Sequence, residues 1–436
     1  MYLLTLIPPI SCGIGISIIT PPIGAELCGY GVYLNRVSVG IHDELYTKSI
    51  VIQGKDGDKI VLISNDLVGL PKEIIDKAKE LINSKTGISK DNILFTCTHT
   101  HSGPATFFFR GWGEVFPEYL ELLPEKICEA VVNARNNLSP CAIGCGKGYT
   151  DIVSYNRVER GGPIDPEIGV IKVESKGAPL VTLFNFACHG VTIDVTTPAG
   201  KWISRDWPGY SEDLISSELG GKSVFLQGTT GDIDPVVAWR KFEFEGLQLT
   251  GHIVGTEVIK VAKGVKVSEI EEISLRRKEI ELPLKLLSLE EINDTYEEVR
   301  QRYKNDEKWL IFYQDWYKSM TGKTQDGFNK NTVEVDIALL EIKTAENSCA
   351  ILFLPGEVFV RLGLEVKKFS PFKNTLIVGY YNEYIGYIPD EYDFERKGYA
   401  STVVPQILDT FPYEKDVGKV LLKEIKNILK GGVKNG

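Results

Sequence analysis

Runs of branched and aliphatic residues that stop abruptly in polar or glycine-containing turns recur along this chain, and their spacing predicts its elements. Residues 45–53 and 59–64 read as two strands joined by the turn 54–58, with Asn65 and Asp66 at the end of the second. Residues 71–84 have the apolar spacing of an amphipathic helix, and 93–97 is a third strand that runs into His99 and His101. The same order returns at 168–173 and 180–186, a helix at 210–219 and a strand at 223–227, with His189 after the hairpin and Asp232 and Asp234 after the last strand. It returns again at 333–342 and 349–354, a helix at 358–369 and a strand at 375–378, with Glu357 after the hairpin and Tyr387 beyond the last strand.

This order predicts an α/β fold of layered mixed β-sheets flanked by helices, built from three hairpin-helix-strand repeats. Polar groups should then gather at the C-terminal ends of strands, with a metal site there. A first strand leading into a Pro-Pro loop is expected at 14–24, where Gly29, Gly31 and Gly40 would allow close backbone approach. Residues 289–318 have helical spacing and suit one or two packing helices; 414–430 is a further amphipathic helix, with 431–436 fraying. A single domain over 1–436 is expected, with a first part at 13–265, a helical insertion at 268–330 and a last part at 331–430.

Composition narrows the classes. With 43% hydrophobic and 25% charged residues the chain is of globular type, and a formal net charge of -10 argues against a nucleic-acid partner. No uninterrupted apolar run reaches about 18 residues, so no transmembrane segment is expected. Residues 1–19 carry no Lys or Arg and are broken by Pro8, Pro9, Gly13 and Gly15, which reads against a signal peptide. The eight cysteines include no CxxC pair and read as free thiols in a reducing, cytoplasmic setting.

Chemistry enters with the histidines, of which there are five. His99 and His101 lie two apart after a strand, so both imidazoles can enter one pocket, one as ligand and one as acid or base. A catalytic zinc site takes three N or O ligands and keeps a position for water, and His99, His189 and Glu357, each after a predicted strand, are such a set. His101 would handle the proton, and Arg157 would stabilise a developing oxyanion.

The segments Thr98-His99-Thr100-His101-Ser102-Gly103-Pro104, Asn156-Arg157, Asn185 to Gly190, Gly231 to Pro235, Leu354 to Glu357 and Gly386 to Pro389 resemble, in order, the neutral/alkaline non-lysosomal ceramidase family. The resemblance covers the catalytic domain, and no C-terminal immunoglobulin-like domain is expected. It implies one Zn²⁺ per chain held by His99, His189, Glu357 and Tyr387, with His101, Arg157 and a further tyrosine, matched by Tyr399, in catalysis. Alignment on Ala400-Ser401-Thr402 instead sets Lys397 at that tyrosine. The implied reaction is hydrolysis of the N-acyl amide of a ceramide-like lipid, a small-molecule substrate.

Two alternatives stand beside it. Asp66, Asp206, Asp232 and Asp234 could hold a second divalent cation, as in a two-metal phosphoesterase or another amidase, or serve structure only. A non-catalytic binding protein would keep the metal in a closed shell.

Overall fold

The computed structural model describes residues 9–346 and 348–431; of the fraying expected at 431–436, residues 432–436 fall outside them. The chain opens with β1 (Ser11–Ile18). The first unit follows as the hairpin β2 (Tyr46–Gln53) and β3 (Lys59–Asn65), helix α1 (Lys72–Thr86) and β4 (Ile93–Cys97), which pairs parallel to β3. Helix α2 (Pro117–Asn136) and β5 (Ser139–Tyr149) lead into β6 (Glu167–Ser175), β7 (Ala178–Phe186), α3 (Asp206–Leu219) and β8 (Lys222–Gln227), with β8 parallel to β7. After α4 (Phe244–Gly264), β9 (Ser268–Pro283), α5 (Leu289–Arg302) and α6 (Glu307–Gln325) come β10 (Thr332–Thr344), β11 (Ser348–Phe353), α7 (Val360–Phe369) and β12 (Asn374–Val378). Here β12 is parallel to β11. Helices α8 (Tyr399–Ile407) and α9 (Val417–Lys430) complete the chain.

All these strands belong to one mixed sheet of 12, in the order β12-β11-β10-β9-β5-β1-β2-β3-β4, with β6, β7 and β8 continuing from β5. Alternation puts one face of each unit into a shared core: Ile50, Leu62 and Leu94 meet Leu183, Val224 and Leu226, and both meet Ile351 and Leu376. The outer faces are covered locally, by α1 and α2 over Ile63 and Phe95, by α3 and α4 over Phe184 and Phe225, and by α7 and α9 over Leu339 and Leu352. Because each parallel strand pair has helices on its outside and the shared core inside, only its C-terminal ends remain free to build a site.

Helix α2 lies directly on β1, where a Cβ at Gly13 or Gly15 would come within 2.1 Å of the Ala134 or Ala130 carbonyl oxygen. The helical insertion is shorter than expected. Residues 268–283 form β9, a long strand paired with β10, because its apolar residues such as Ile270, Ile280 and Leu282 pack inward while the intervening glutamates stay outside. Helices α5 and α6 then pack on each other through stacked Tyr296 and Tyr317, and on Trp112 and Phe411.

Between β2 and α3 the core contains charge. Lys48, 3% exposed, reaches Asp66 at 2.9 Å and Glu212 at 2.7 Å, and Arg205 closes the cluster against Glu212 at 3.5 Å. Burial pushes the Glu212 carboxyl up to about 6, against the pull of Lys48. Replacing Lys48 by alanine should therefore leave two buried carboxylates facing each other and cost about 3–5 kcal/mol. Denaturant unfolding measures this; a midpoint equal to the wild type would show that the cluster is not structural.

Candidate active site

Three turns at strand ends bring the candidate ligands together. His99 follows β4 with φ of 62°, a left-handed conformation rare outside glycine, fixed by its N–H on the Leu67 carbonyl at 3.0 Å. Its Nδ1 donates to the Val68 carbonyl at 2.6 Å, and its ring stacks on Tyr380 at 4.2 Å. His189 follows β7; its Nδ1 donates to the Ile233 carbonyl at 2.9 Å, and its carbonyl accepts from the Trp207 indole at 2.8 Å. Thr100 and Gly190 form a parallel bridge that sets these two turns side by side. Glu357 lies in a two-residue strand, Glu357–Val358, in parallel register with Tyr387–Ile388. The helix expected from 358 thus begins only at Val360, and the strand pairing places Glu357 beside Tyr387.

With both Nδ1 atoms donating to carbonyls, the Nε2 lone pairs turn inward. His189 Nε2 lies 3.2 Å and His99 Nε2 3.4 Å from Glu357 Oε2, and His101 Nε2 lies 3.0 Å from His99 Nε2. Acceptors crowded in a dry site repel one another unless a cation sits among them. Ligands of a tetrahedral ion at about 2.0–2.1 Å are about 3.3 Å apart, so the spacing and the N/O donor set fit zinc. Among the described residues the one group of three or more His, Cys, Asp or Glu with ligand atoms within 4.8 Å of one another is His99, His101 and His189, all buried. Glu357 Oε2 comes within 3.4 Å of two of these three.

Electrostatics follow the burial. Burial opposes the charge on Glu357, but His99 and His189 hold its carboxyl well below the usual carboxylate range. Burial, with His99 and His189 as neighbours, lowers His101 well below the usual imidazole value, and burial and Arg157 lower His189. Two tyrosines not foreseen from the sequence complete the shell: Tyr384 donates its hydroxyl to Glu357 Oε1, and Tyr380 donates to Oε2 at 3.3 Å. Both lie in the tyrosine-rich run 380–387 that ends at Tyr387.

Arg157 donates to Asp234 at 3.0 Å, to the Gly231 carbonyl at 2.9 Å and to the Tyr387 hydroxyl at 2.8 Å. A cavity of about 30 Å³ touches His99, His101, Glu357, Tyr384, Tyr387 and Tyr399. A larger one of about 480 Å³ opens beside it, with Tyr30, His101, Trp112, Arg157, Tyr387 and Tyr399 in its wall. Tyr399, 42% exposed, borders both. Lys397 instead lines a separate cavity of about 380 Å³ between α5 and α8, so of the two matches Tyr399 is the one beside the site.

The four aspartates do not form a second cluster. Asp66 is consumed by Lys48 and the Tyr46 amide at 2.9 Å. Asp206, pushed up to about 6 by burial, accepts from the Thr192 hydroxyl at 2.6 Å and the Trp207 amide at 2.7 Å. Asp232, also pushed to about 6 by burial, accepts from Asn156 at 2.6 Å and the Val360 amide at 2.7 Å. Asp234 stands nearest, but on the Nδ1 side of His189 at 3.8 Å, where it anchors Arg157. Strand-end position suggests a common rim; each side chain in fact turns to nearby backbone, hydroxyl, amide or cationic donors, an arrangement that accords with the structural alternative.

His101 is held from behind. A Cβ at Gly29, whose φ is 95°, would lie 2.5 Å from the His101 ring. Gly29→Ala should therefore displace the imidazole and lower kcat by about a hundredfold while metal content stays unchanged. Wild-type kcat in this variant would show that the ring position is not critical.

A mixed α/β sheet whose strand ends converge on a buried His/Glu cluster, an arginine and tyrosines defines a candidate metal-centre protein with a pocket that opens beside the cluster. The profile described as "Neutral/alkaline non-lysosomal ceramidase, N-terminal" matches residues 11–243, and the chain belongs to that family. It is similar to neutral ceramidase A of Dictyostelium discoideum, 26% identical over 257 residues covering 51% of this chain and 35% of that protein. It is also similar to the neutral ceramidase of Mycobacterium tuberculosis, 25% identical over 264 residues covering 52% of this chain and 40% of that protein. These matches thus span well under half of the relatives' length. The crystal structure of neutral ceramidase from Pseudomonas aeruginosa shares the fold, with a TM-score of 0.73 at 16% identity, over 97% of this chain and 74% of that one.

Proposed function

We propose that the chain is a zinc-dependent hydrolase that cleaves the N-acyl amide of a ceramide-like lipid. The observation that carries this is the convergence of His99, His189 and Glu357, with spacings of 3.2 and 3.4 Å, where His99 and Glu357 border the cavity of about 30 Å³ and His101, Tyr387 and Tyr399 line both it and the cavity of about 480 Å³. His99, His189, Glu357 and Tyr387 would hold the ion. Bound there, zinc would supply Lewis-acid chemistry, making water acidic enough to attack an amide near neutral pH.

The protein's own groups do the rest. His101, kept neutral by burial, is free to take the proton from the attacking water and give it to the departing nitrogen. Arg157, fixed by Asp234 and Gly231, presents a charge that need not reorganise to the oxyanion formed at the amide carbon, and Tyr399 lies within the same wall. Water adds to the acyl carbon, the C–N bond breaks, and a fatty acid and a sphingoid amine leave. Membership of the ceramidase family supports the substrate class, and the largely apolar pocket wall suits a lipid.

A screen of N-acyl sphingosines, N-acyl amino acids and phosphomonoesters with zinc present tests this reading. Release of fatty acid from N-acyl sphingosine is the result expected. Phosphate release with every amide left intact would contradict it and favour a phosphoesterase.

A further inference from the structure

Beside the pocket mouth the surface alternates in the sense opposite to an ordinary exposed edge. Arg36 and Ser38 are 3% and 2% exposed, whereas Val37 and Val39 are 45% and 56% exposed. The inversion is built in: the Arg36 guanidinium donates to the carbonyls of Gly200 at 2.9 Å and of Cys28 and His101 at 3.0 Å. The Val39 amide is tied to the Lys201 carbonyl at 3.0 Å, and Val37 is bridged to Glu26, so the segment cannot turn over to hide its valines.

A second exposed segment borders the same cavity. Trp239 and Phe242 are exposed and enclose the exposed pair Arg240 and Lys241. Trp239 lines the large cavity together with Leu34, so the apolar rim reaches the opening itself. Its indole is fixed by Tyr30, edge-on at 5.5 Å, and by Asp234 at 3.2 Å. Arg240 and Lys241 form no ion pair within 4.0 Å among the described residues, in a chain of net charge -10. Fixed apolar and indole side chains with exposed cations between them are the chemistry of a surface that meets a lipid interface. Among the described residues no helix is long and apolar enough to cross a membrane.

We propose that the pocket mouth docks on a lipid bilayer, with Val37, Val39, Trp239 and Phe242 entering the interfacial layer and Arg240 and Lys241 meeting anionic headgroups. The inference extends the lipid-amide reading, because a two-chain substrate would pass from the bilayer into the cavity without crossing water.

Flotation with vesicles of phosphatidylcholine and phosphatidylglycerol, without substrate, tests it apart from turnover. Wild-type protein should float with the vesicles. The double variant Val37→Asp/Val39→Asp should bind at least about tenfold more weakly while hydrolysing a water-soluble short-chain N-acyl substrate as well as the wild type. Arg240→Glu/Lys241→Glu, which leaves the valines in place, should weaken binding by a similar factor. Wild-type protein that stays in the aqueous fraction, or variants that float as it does, would overturn the proposal. Flotation of the wild type without hydrolysis of any N-acyl substrate would leave the surface standing and defeat the amidase reading instead.

Discussion

Replacing His99 by alanine is expected to empty the metal site and to lower kcat/KM by at least about a thousandfold, some 4 kcal/mol of activation barrier. Its Nε2 faces Glu357 Oε2 at 3.4 Å, and its Nδ1 bond to Val68 and stack on Tyr380 keep it in that orientation. Without it, His189 and Glu357 remain as a pair with Tyr387, too few strong donors to hold zinc tightly in competition with water. The fold should survive, because the core shared by the strands does not include His99, whose ring meets only the edge of the α1–α2 core at Tyr380. Metal analysis together with far-UV circular dichroism separates the two effects. A variant that stays folded and retains about one metal per chain would remove His99 from the ligand set.

Replacing His101 by alanine should behave differently: metal stays, and kcat falls by about 10²–10⁴-fold, the range of a lost acid-base group. The distinction matters because His101 Nε2 is 3.0 Å from His99 Nε2, close enough on distance alone to be a ligand itself. Two features favour the proton role. His101 lines the large cavity, where substrate would lie, whereas His189 and Glu357 do not. It is also positioned by close packing on Gly29 and Tyr30, with no partner for its Nδ1 among the described residues, unlike the two carbonyl-anchored imidazoles. Loss of metal from His101→Ala, with metal retained in Glu357→Gln, would exchange the roles of these two residues.

Much of this was legible because each buried strand ends in a residue type that a core does not tolerate without reason. His99, His189 and Glu357 could be picked from such endings, and the hairpin-helix-strand order placed them at one end of the sheet. Other parts were hidden. Helix α2 carries Pro124 in its interior, and α4 contains Gly251 and Gly255 at its contact with α3, so neither shows a clean apolar stripe. Strand β9 has so many charged residues that it reads as helical insertion until its partner β10 is seen. The aspartates misled for a physical reason: position at a strand end says where a backbone stops, while the carboxylate turns toward the nearest donors. For Asp66 those are Lys48 and Tyr46, inside the core. Tyr380 and Tyr384 were missed because second contacts to a ligand have no spacing rule of their own.

The most direct measurement is a zinc titration of metal-free protein, with fatty acid released from N-acyl sphingosine followed at each addition. Activity rising in proportion to zinc and levelling at about one equivalent per chain, with no such rise for His189→Ala, is the predicted result. Full activity of the metal-free protein, or a plateau that needs about two equivalents, would contradict a single-zinc amidase centred on His99, His189 and Glu357.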